Sequence, residues 1–567
     1  MKKIILILFV ILQSSVLSQN LDSLYNALLQ LKPERNIKDQ TGQTIQTIKN
    51  RPIKCGFGLA ADVKRHFNEF SIEQQQTINK ILSRPTLQKS IVSKSGFFRI
   101  HYDTTGYNKP GYLPGQSISD NIAAISAALD SSYNYEINIL GYPPPPEDNM
   151  HGGDNKTDIY IQDMSGGNYA LTNTDSSLGD NKYTSYIQID NDFKQSEGYN
   201  TFGIEAAKAT VAHEFHHTIQ MGNYGLYLDD RYYHELTSTA MEETVFDEVN
   251  DYYSYIHSFF DYTETSFIKH NGYDLAIWNI FLRERFGKEV PNTGDAIIKR
   301  SWELMAKPYS NRAIVAIAKA ISEFGYSFKE EFKKFAEWIY FTKNHTKKNK
   351  YFEEAEYYPS IKLYYKYDFT SPKQTLDLKN IEPVSIRYIR FLDNSQDLPD
   401  TVISIFSDSD AITAATNPSN YNQITFTLAS NSFDGASKIN GYYYYKVEGS
   451  SLQNISEVYI INNEPANSNT DRNELEYVYP QPYTYDSNSL IFIPTHSDIS
   501  GEAELNIYSS DMNLIYSQTH KIILSDRISV TWNAQDNNGN KLASGVYIYV
   551  TKAGGKIKKG KIVILNK

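Results

Sequence analysis

At about residue 361 the chain stops reading as helices and begins to read as strands. Upstream, apolar residues recur at helical spacing. Leu21, Leu24, Leu28 and Leu31 form one stripe that Pro33 closes, and Ile72 to Leu82 forms another that Arg84-Pro85 ends. Downstream come short alternating runs, rich in aromatics and separated by Asn, Ser, Asp and Gly turns. One hydrophobic core cannot serve 567 residues that carry both patterns. The two textures predict a multidomain chain, an α+β part followed by β-sandwich modules.

The α+β reading rests on element order. Phe97 to Tyr102 reads as a strand. A helix follows at roughly Ser119 to Leu140, with Ala123, Ala124, Ala127 and Ala128 permitting close packing, and Pro143 to Pro146 prevent its continuation. Asp158 to Ile161 and Ser185 to Ile189 read as strands, and Ile204 to Met221 as a helix. Residues 230–345 are mainly helical in pattern. The expected division is a leader over 1–18, a helical N-terminal or pro-region over 19–95, a catalytic domain over 96–365, a β-sandwich domain over 366–478 and a C-terminal β module over 479–567. Tyr479-Pro480-Gln481-Pro482 interrupts the strands at the last of these boundaries.

The leader has Lys2 and Lys3 ahead of the apolar run Ile4 to Leu12, with Val16-Leu17-Ser18 as a cleavage site. It predicts export, with the mature protein secreted or held at the cell surface. No later stretch reaches about 18 apolar residues, so no transmembrane anchor is expected. Cys55 is the single cysteine, which excludes an intramolecular disulfide framework. A net charge of −11 argues against a general nucleic-acid binder, which needs a basic face.

The segment Thr210-Val211-Ala212-His213-Glu214-Phe215-His216-His217-Thr218 carries the chemistry. On a helix, residues four apart share a face about 6 Å apart along the axis, so His213 and His217 can ligate one Zn²⁺. Glu214 is then free to take a proton from the zinc-bound water as general base. His216 also stands at helical reach of His213, but the position of Glu214 favours His217, leaving His216 as a supporting or surface residue. A hydrolytic zinc needs a third protein ligand and an open position. Glu235, 18 residues beyond His217, is the leading candidate, with His234 and Glu242 as alternatives. Glu242, two helical turns after Glu235, can instead orient a ligand histidine by a hydrogen bond. Asp190, Asn191 and Asp192 are oxygen-rich and could hold Ca²⁺, although such a run is also an ordinary turn.

The HExxH segment with Glu235 downstream resembles the gluzincin metallopeptidases. Glu235 to Glu242 looks like their element of a ligand Glu followed by small residues and a second Glu, with Leu236 where Gly is usual. Residues 50–365 also resemble a family of bacterial exported metalloproteases with a strand like Phe98-Arg99-Ile100-His101-Tyr102, an Asp-Ile-Tyr strand and an HExxH helix. The resemblance implies a zincin-like fold and a polypeptide substrate. It implies an oxyanion-stabilising tyrosine, for which Gly272-Tyr273-Asp274 supplies Tyr273, with Tyr233 or His234 as alternatives. It also implies a sheet edge that pairs with substrate, which chain order assigns to Tyr186 to Asp190. Pro52-Ile53-Lys54-Cys55-Gly56 resembles a cysteine switch, which implies Cys55 as a latency thiol at the open zinc position. Residues 480–567 resemble the Ig-like sorting domains of the type IX secretion system, on Val530-Thr531-Trp532-Asn533, Asp536-Asn537-Asn538-Gly539 and Ala543 to Tyr549. That implies export machinery as a partner.

The expected function is therefore a secreted zinc metallopeptidase. No acidic anchor for a free α-amine is legible near the motif, which favours an endopeptidase over an aminopeptidase. Two other classes stand beside it: a non-catalytic surface adhesion protein with a zincin-like domain, and a zinc hydrolase of a non-peptide substrate. The intact Glu214 argues against the adhesin, because a structural site has no use for a base.

Overall fold

The computed structural model describes residues 21–30, 54–164, 168–307, 312–347 and 349–368, and then 373–378, 381–393, 400–430, 443–449, 452–461, 473–474, 478, 482–485, 490–495, 502–522 and 527–566. The leader over 1–18, Pro52-Ile53 and the Tyr479-Pro480-Gln481 boundary lie outside them. The protein is a multidomain, mixed α/β chain with several sheets. It divides into two compact units: 1–365 with 372–389 and 404–459, and 460–567 with 366–371 and 390–403.

In the first unit, α1 (21–30), α2 (Phe57–Arg65) and α3 (Ile72–Ile81) precede a five-stranded sheet. Ser71 starts α3 with a reciprocal cap, its Oγ accepting from the Gln74 amide while the Gln74 side chain accepts from the Ser71 amide. The strands are β1 (Lys89–Val92), β2 (Phe98–Tyr102), β3 (Thr157–Ile161), β4 (Ala170–Gly179) and β5 (Lys182–Ile189), in the spatial order β1-β2-β3-β5-β4. β2, β3 and β5 run parallel, and β4 returns antiparallel to β5 through a tight turn at Asp180-Asn181, both at positive φ. α4 (Ile118–Tyr133) crosses between β2 and β3, capped by Ser117 and Asp120.

One sequence expectation fails on this sheet, and one edge strand carries no sequence signal. Tyr186 to Asp190 is not an edge strand: β5 is covered by β3 on one side and β4 on the other. The edges are β1 and β4, and sequence reading passes over β4 because Thr172-Asn173-Thr174-Asp175-Ser176-Ser177 has the composition of a loop. Its strand character comes from pairing with β5, a tertiary cause that local propensity does not carry.

α5 (Gly203–Ile219) lies against α4, β4, β5 and α6 (Arg231–Val245). Every residue from Thr210 to Ile219 on it is buried, so it is a central helix and not an amphipathic surface one. Ala206, Ala207, Ala209 and Ala212 let its neighbours approach closely. α7 (Tyr253–Asp261) and α8 (Ala276–Gly287) follow, then helices over Thr293–Met305, Ala313–Glu323 and Phe328–Tyr340. This unit also holds a three-stranded sheet in the order 443–449, 424–430, 373–377.

The second unit is built from strands. Five pair in the order Tyr483–Thr484, Lys556–Leu565, Gly545–Ala553, Glu502–Tyr508, Leu514–Lys521, and three more in the order Asn473–Glu474, Arg527–Trp532, Ile491–Pro494. Ile493, Leu505, Ile507, Val530, Trp532, Tyr549 and Ile562 share its core. The expected turn is present, with the Gly539 amide donating to the Asp536 carbonyl at 3.1 Å and Gly539 at φ +82°.

Candidate metal centre

α5 and α6 together build the site. His213 and His217 project from one face of α5, and Glu235 faces them from the first turns of α6. His213 Nε2 and His217 Nε2 lie 3.2 Å apart; Glu235 Oε2 lies 3.2 Å from the first and 3.4 Å from the second. A tetrahedral zinc with bonds near 2.0–2.1 Å spaces its ligand atoms by about 3.3 Å. Two imidazoles and a carboxylate at that spacing therefore fit the ion. All three side chains are buried. The histidines hold the Glu235 carboxyl down at about 2 against the opposing effect of burial.

Each imidazole is steered by its other nitrogen. His213 Nδ1 donates to Glu242 Oε1 at 2.8 Å, and His217 Nδ1 to Gln220 Oε1 at 2.8 Å. Glu242 thus touches His213 from behind and does not belong to the cluster of Cys55, His213, His217 and Glu235. Gln220 also bonds His234 Nδ1 at 2.9 Å, and its amide donates to the His234 carbonyl at 3.1 Å. His234 faces Phe57 and Trp302, outside the cluster, and burial lowers its pKa to about 3. His216 is not at the surface. It is fully buried, 2.8 Å from Glu136 and edge-on to Tyr142, so its ring is turned to α4's end of the helix pair and away from the His213–His217–Glu235 cluster.

Glu214 is buried beside His213, one oxygen accepting from Thr172 Oγ1 of β4, and its carboxylate faces the Cys55 thiol. Tyr273 donates its hydroxyl to the Cys55 carbonyl at 3.2 Å, with its ring 6.1 Å from that of His213. Gly272 makes this approach feasible: at φ +105°, a Cβ there would meet the Tyr232 carbonyl at 2.2 Å. Tyr233 instead stacks on Trp302 and bonds Ser301, so it does not face the ligands.

Cys55 is the fourth member. Its Sγ and the three ligand atoms all lie within 4.8 Å of one another. Cys55 forms a parallel bridge to Ala170 at the β4 edge, and the Gly56 amide donates to the Ala170 carbonyl at 2.9 Å. Phe57 stacks on the His217 ring at 4.4 Å. Burial first, then the charges of Glu214 and Glu235, push the thiol pKa well up. A bound dication reverses that preference and favours a thiolate. A cavity of about 310 Å³ opens beside the cluster, with Cys55, Arg231, Glu235, His270 and Tyr273 among its walls.

Next to Cys55, the Lys54 ammonium is buried against Glu242 Oε2 at 2.8 Å and against Asp251. The rings of Tyr255 and Tyr169 stand 4.6 and 5.3 Å from its nitrogen. Burial alone would lower the Lys54 pKa, but the two carboxylates prevail and raise it. Sequence reading missed Lys54, Asp251, Thr172 and Gln220. Gln220 was legible, three residues after a ligand histidine on the same helix. Asp251 was not, since no spacing links it to the motif.

The oxygen-rich run after β5 is mostly engaged elsewhere. Asp190 accepts from the amides of Met164, Asp192 and Phe193, and the Asn191 side chain donates to the Tyr107 and Lys109 carbonyls. Asp163, Asp190 and Glu197 bring carboxylate oxygens within 4.8 Å of one another.

No protein-family model and no curated protein matches the chain. A solved structure to which it is similar is PorZ of Porphyromonas gingivalis, described as an essential bacterial surface component of the type-IX secretion system. The identity is 15%, the match covers 29% of each chain, and the TM-score is 0.14. The chain thus spans under a third of that protein, and a likeness of this size carries no argument about fold or function. Among the described residues no helix is long and apolar enough to cross a membrane.

Proposed function

We propose that the chain is an exported zinc-dependent metallopeptidase, an endopeptidase of zincin-like fold, held latent by Cys55. The observation that carries this reading is the triangle of His213 Nε2, His217 Nε2 and Glu235 Oε2, 3.2–3.4 Å on a side. When bound there, zinc would lower the pKa of its water to about 7 and polarise a substrate carbonyl.

The chain's own groups supply the rest. Glu214 is adjacent to a ligand yet outside the triangle and faces the Cys55 thiol, so release of Cys55 would leave it free to take a proton from the attacking water. Thr172 fixes one oxygen, which leaves that base one orientation. Tyr273 has its hydroxyl at the wall of the cleft and is suited to donate to the oxyanion once the Cys55 carbonyl leaves. β4, an edge strand bridged at Ala170 by Cys55, is suited to pair with an extended substrate once that segment leaves. Cys55 holds the fourth position against entry, and Gly56 holds the β4 edge. The C-terminal strands read as an Ig-like sorting module for type IX export, on the sequence pattern alone.

The test is digestion of an unfolded protein and a peptide library, with and without chelator, by wild type and Glu214→Gln. Chelator-sensitive cutting that Glu214→Gln abolishes supports the reading. Equal activity of the two proteins, or none from a metal-loaded chain with Cys55 released, removes it.

A further inference from the structure

The groups around Lys54 belong to the body of the unit, not to the segment that carries Lys54. Tyr169 precedes β4, Glu242 ends α6, Asp251 lies in the turn that follows, and Tyr255 is on α7. Only the ammonium comes from outside this framework. Two buried carboxylates meet one cation, so the cavity is acidic even when filled. Asp251 is further held by the Tyr169 hydroxyl at 3.4 Å, and Glu242 by His213 at 2.8 Å. When the Lys54 segment leaves, Asp251 loses its counter-charge while Glu242 stays beside it, an arrangement that favours a replacement cation.

The position of this cavity is informative. Lys54 is the immediate neighbour of Cys55, whose thiol stands with the metal ligands and whose backbone bridges the β4 edge. An extended chain alternates its side chains, so whichever residue lies next to the one facing the metal has its side chain in this cavity. We propose that Asp251, Glu242, Tyr169 and Tyr255 form a binding site for a primary ammonium of the substrate polypeptide, and that Lys54 is its occupant in the latent chain. This inference rests on the metallopeptidase reading for its use, but the site itself does not. Carboxylates recognise the charge, and the two tyrosine rings wall the alkyl stem and add cation–π attraction. The ammonium could belong to a lysine side chain or to a peptide's own N-terminus, and the two are separable.

The test uses the full-length chain carrying Lys54→Ala and Cys55→Ala, which vacates both the ammonium site and the metal position, with and without Asp251→Asn. Three peptides are compared: an end-blocked peptide with a central lysine, the same with norleucine, and the norleucine peptide with a free α-amine. Norleucine keeps the stem and removes the charge. At least about a tenfold higher kcat/KM for an ammonium-bearing peptide, lost in Asp251→Asn, is expected, since tenfold is the worth of one modest charge-assisted bond. Preference for the blocked lysine peptide identifies a side-chain site; preference only for the free amine identifies an exopeptidase anchor. Equal rates for all three overturn the inference.

A second measurement needs no catalysis. Lys54→Ala should lower the thermal midpoint, and n-propylamine, which replaces the missing stem and charge, should restore it where n-propanol does not. If the alcohol restores it equally, the ammonium site is refuted. If no peptide is cut while propylamine still stabilises, the site stands and the peptidase reading fails. Where Lys54→Ala does not fold, Lys54→Met, which keeps most of the stem and removes the charge, takes its place in the peptide series, and that series decides alone.

Discussion

His213 Nδ1 and Glu242 Oε1 stand 2.8 Å apart in a fully buried contact, and that bond fixes which nitrogen of His213 faces Glu235 and His217. Glu242→Gln should keep the fold and weaken zinc binding by about 10–100-fold, the usual range for a partner of a ligand histidine. Competition with a chromophoric chelator measures it. Unchanged affinity would mean that His213 needs no such partner.

Thr172 donates to Glu214, the proposed base, from the neighbouring strand. Glu214→Gln should cut kcat by about 10²–10⁴-fold while metal content stays full. Thr172→Val should lower kcat to a smaller extent at unchanged KM. A Thr172→Val enzyme impaired only in KM would show that the hydroxyl serves substrate binding instead.

The Cys55 thiol gives a direct readout of latency. In the zinc-loaded precursor it should react slowly with a disulfide reagent even in mild denaturant, and stripping the metal should speed the reaction. Cobalt substitution should add a sulfur-to-metal charge-transfer band that Cys55→Ser removes. Cys55→Ser should also shorten any activation lag. A cobalt spectrum identical in the two proteins would place the thiol outside the coordination sphere.

Glu284 on α8 supplies a pH signature away from the metal. Burial pushes its carboxyl up to about 8 from a usual 4.5. Below the usual value it is neutral in folded and unfolded chains alike. As pH rises from 4.5 to 8, only the unfolded chain gives up the proton, so this group's contribution to stability is lost across that window. Glu284→Gln should therefore leave the thermal midpoint nearly unchanged at about pH 5 and raise it by a few degrees at about pH 9. Parallel midpoint curves for the two proteins would refute this.

The ligand geometry was legible in the sequence because it obeys helix periodicity. His213 and His217 share a face by their spacing of four, and Glu235 and Glu242 share one by their spacing of seven. The central strands were legible for the same reason: Ile159-Tyr160-Ile161 and Tyr186-Ile187 are apolar runs. What escaped was set by tertiary pairing. β4 has the composition of a loop and is a strand only because β5 holds it. The Lys54–Asp251 contact joins residues 197 positions apart, and no local pattern encodes it.

Gly56 reaches back to Ala170 from a stretch that precedes the whole sheet in the chain. If the Cys55 segment closes the metal position as proposed, the closing piece is part of the same covalent thread as the site it closes. Its effective concentration does not depend on how much protein is present, so dilution cannot uncork it, and a soluble competitor meets an opponent that never diffuses away. Cutting or pulling the thread is the efficient way to open it.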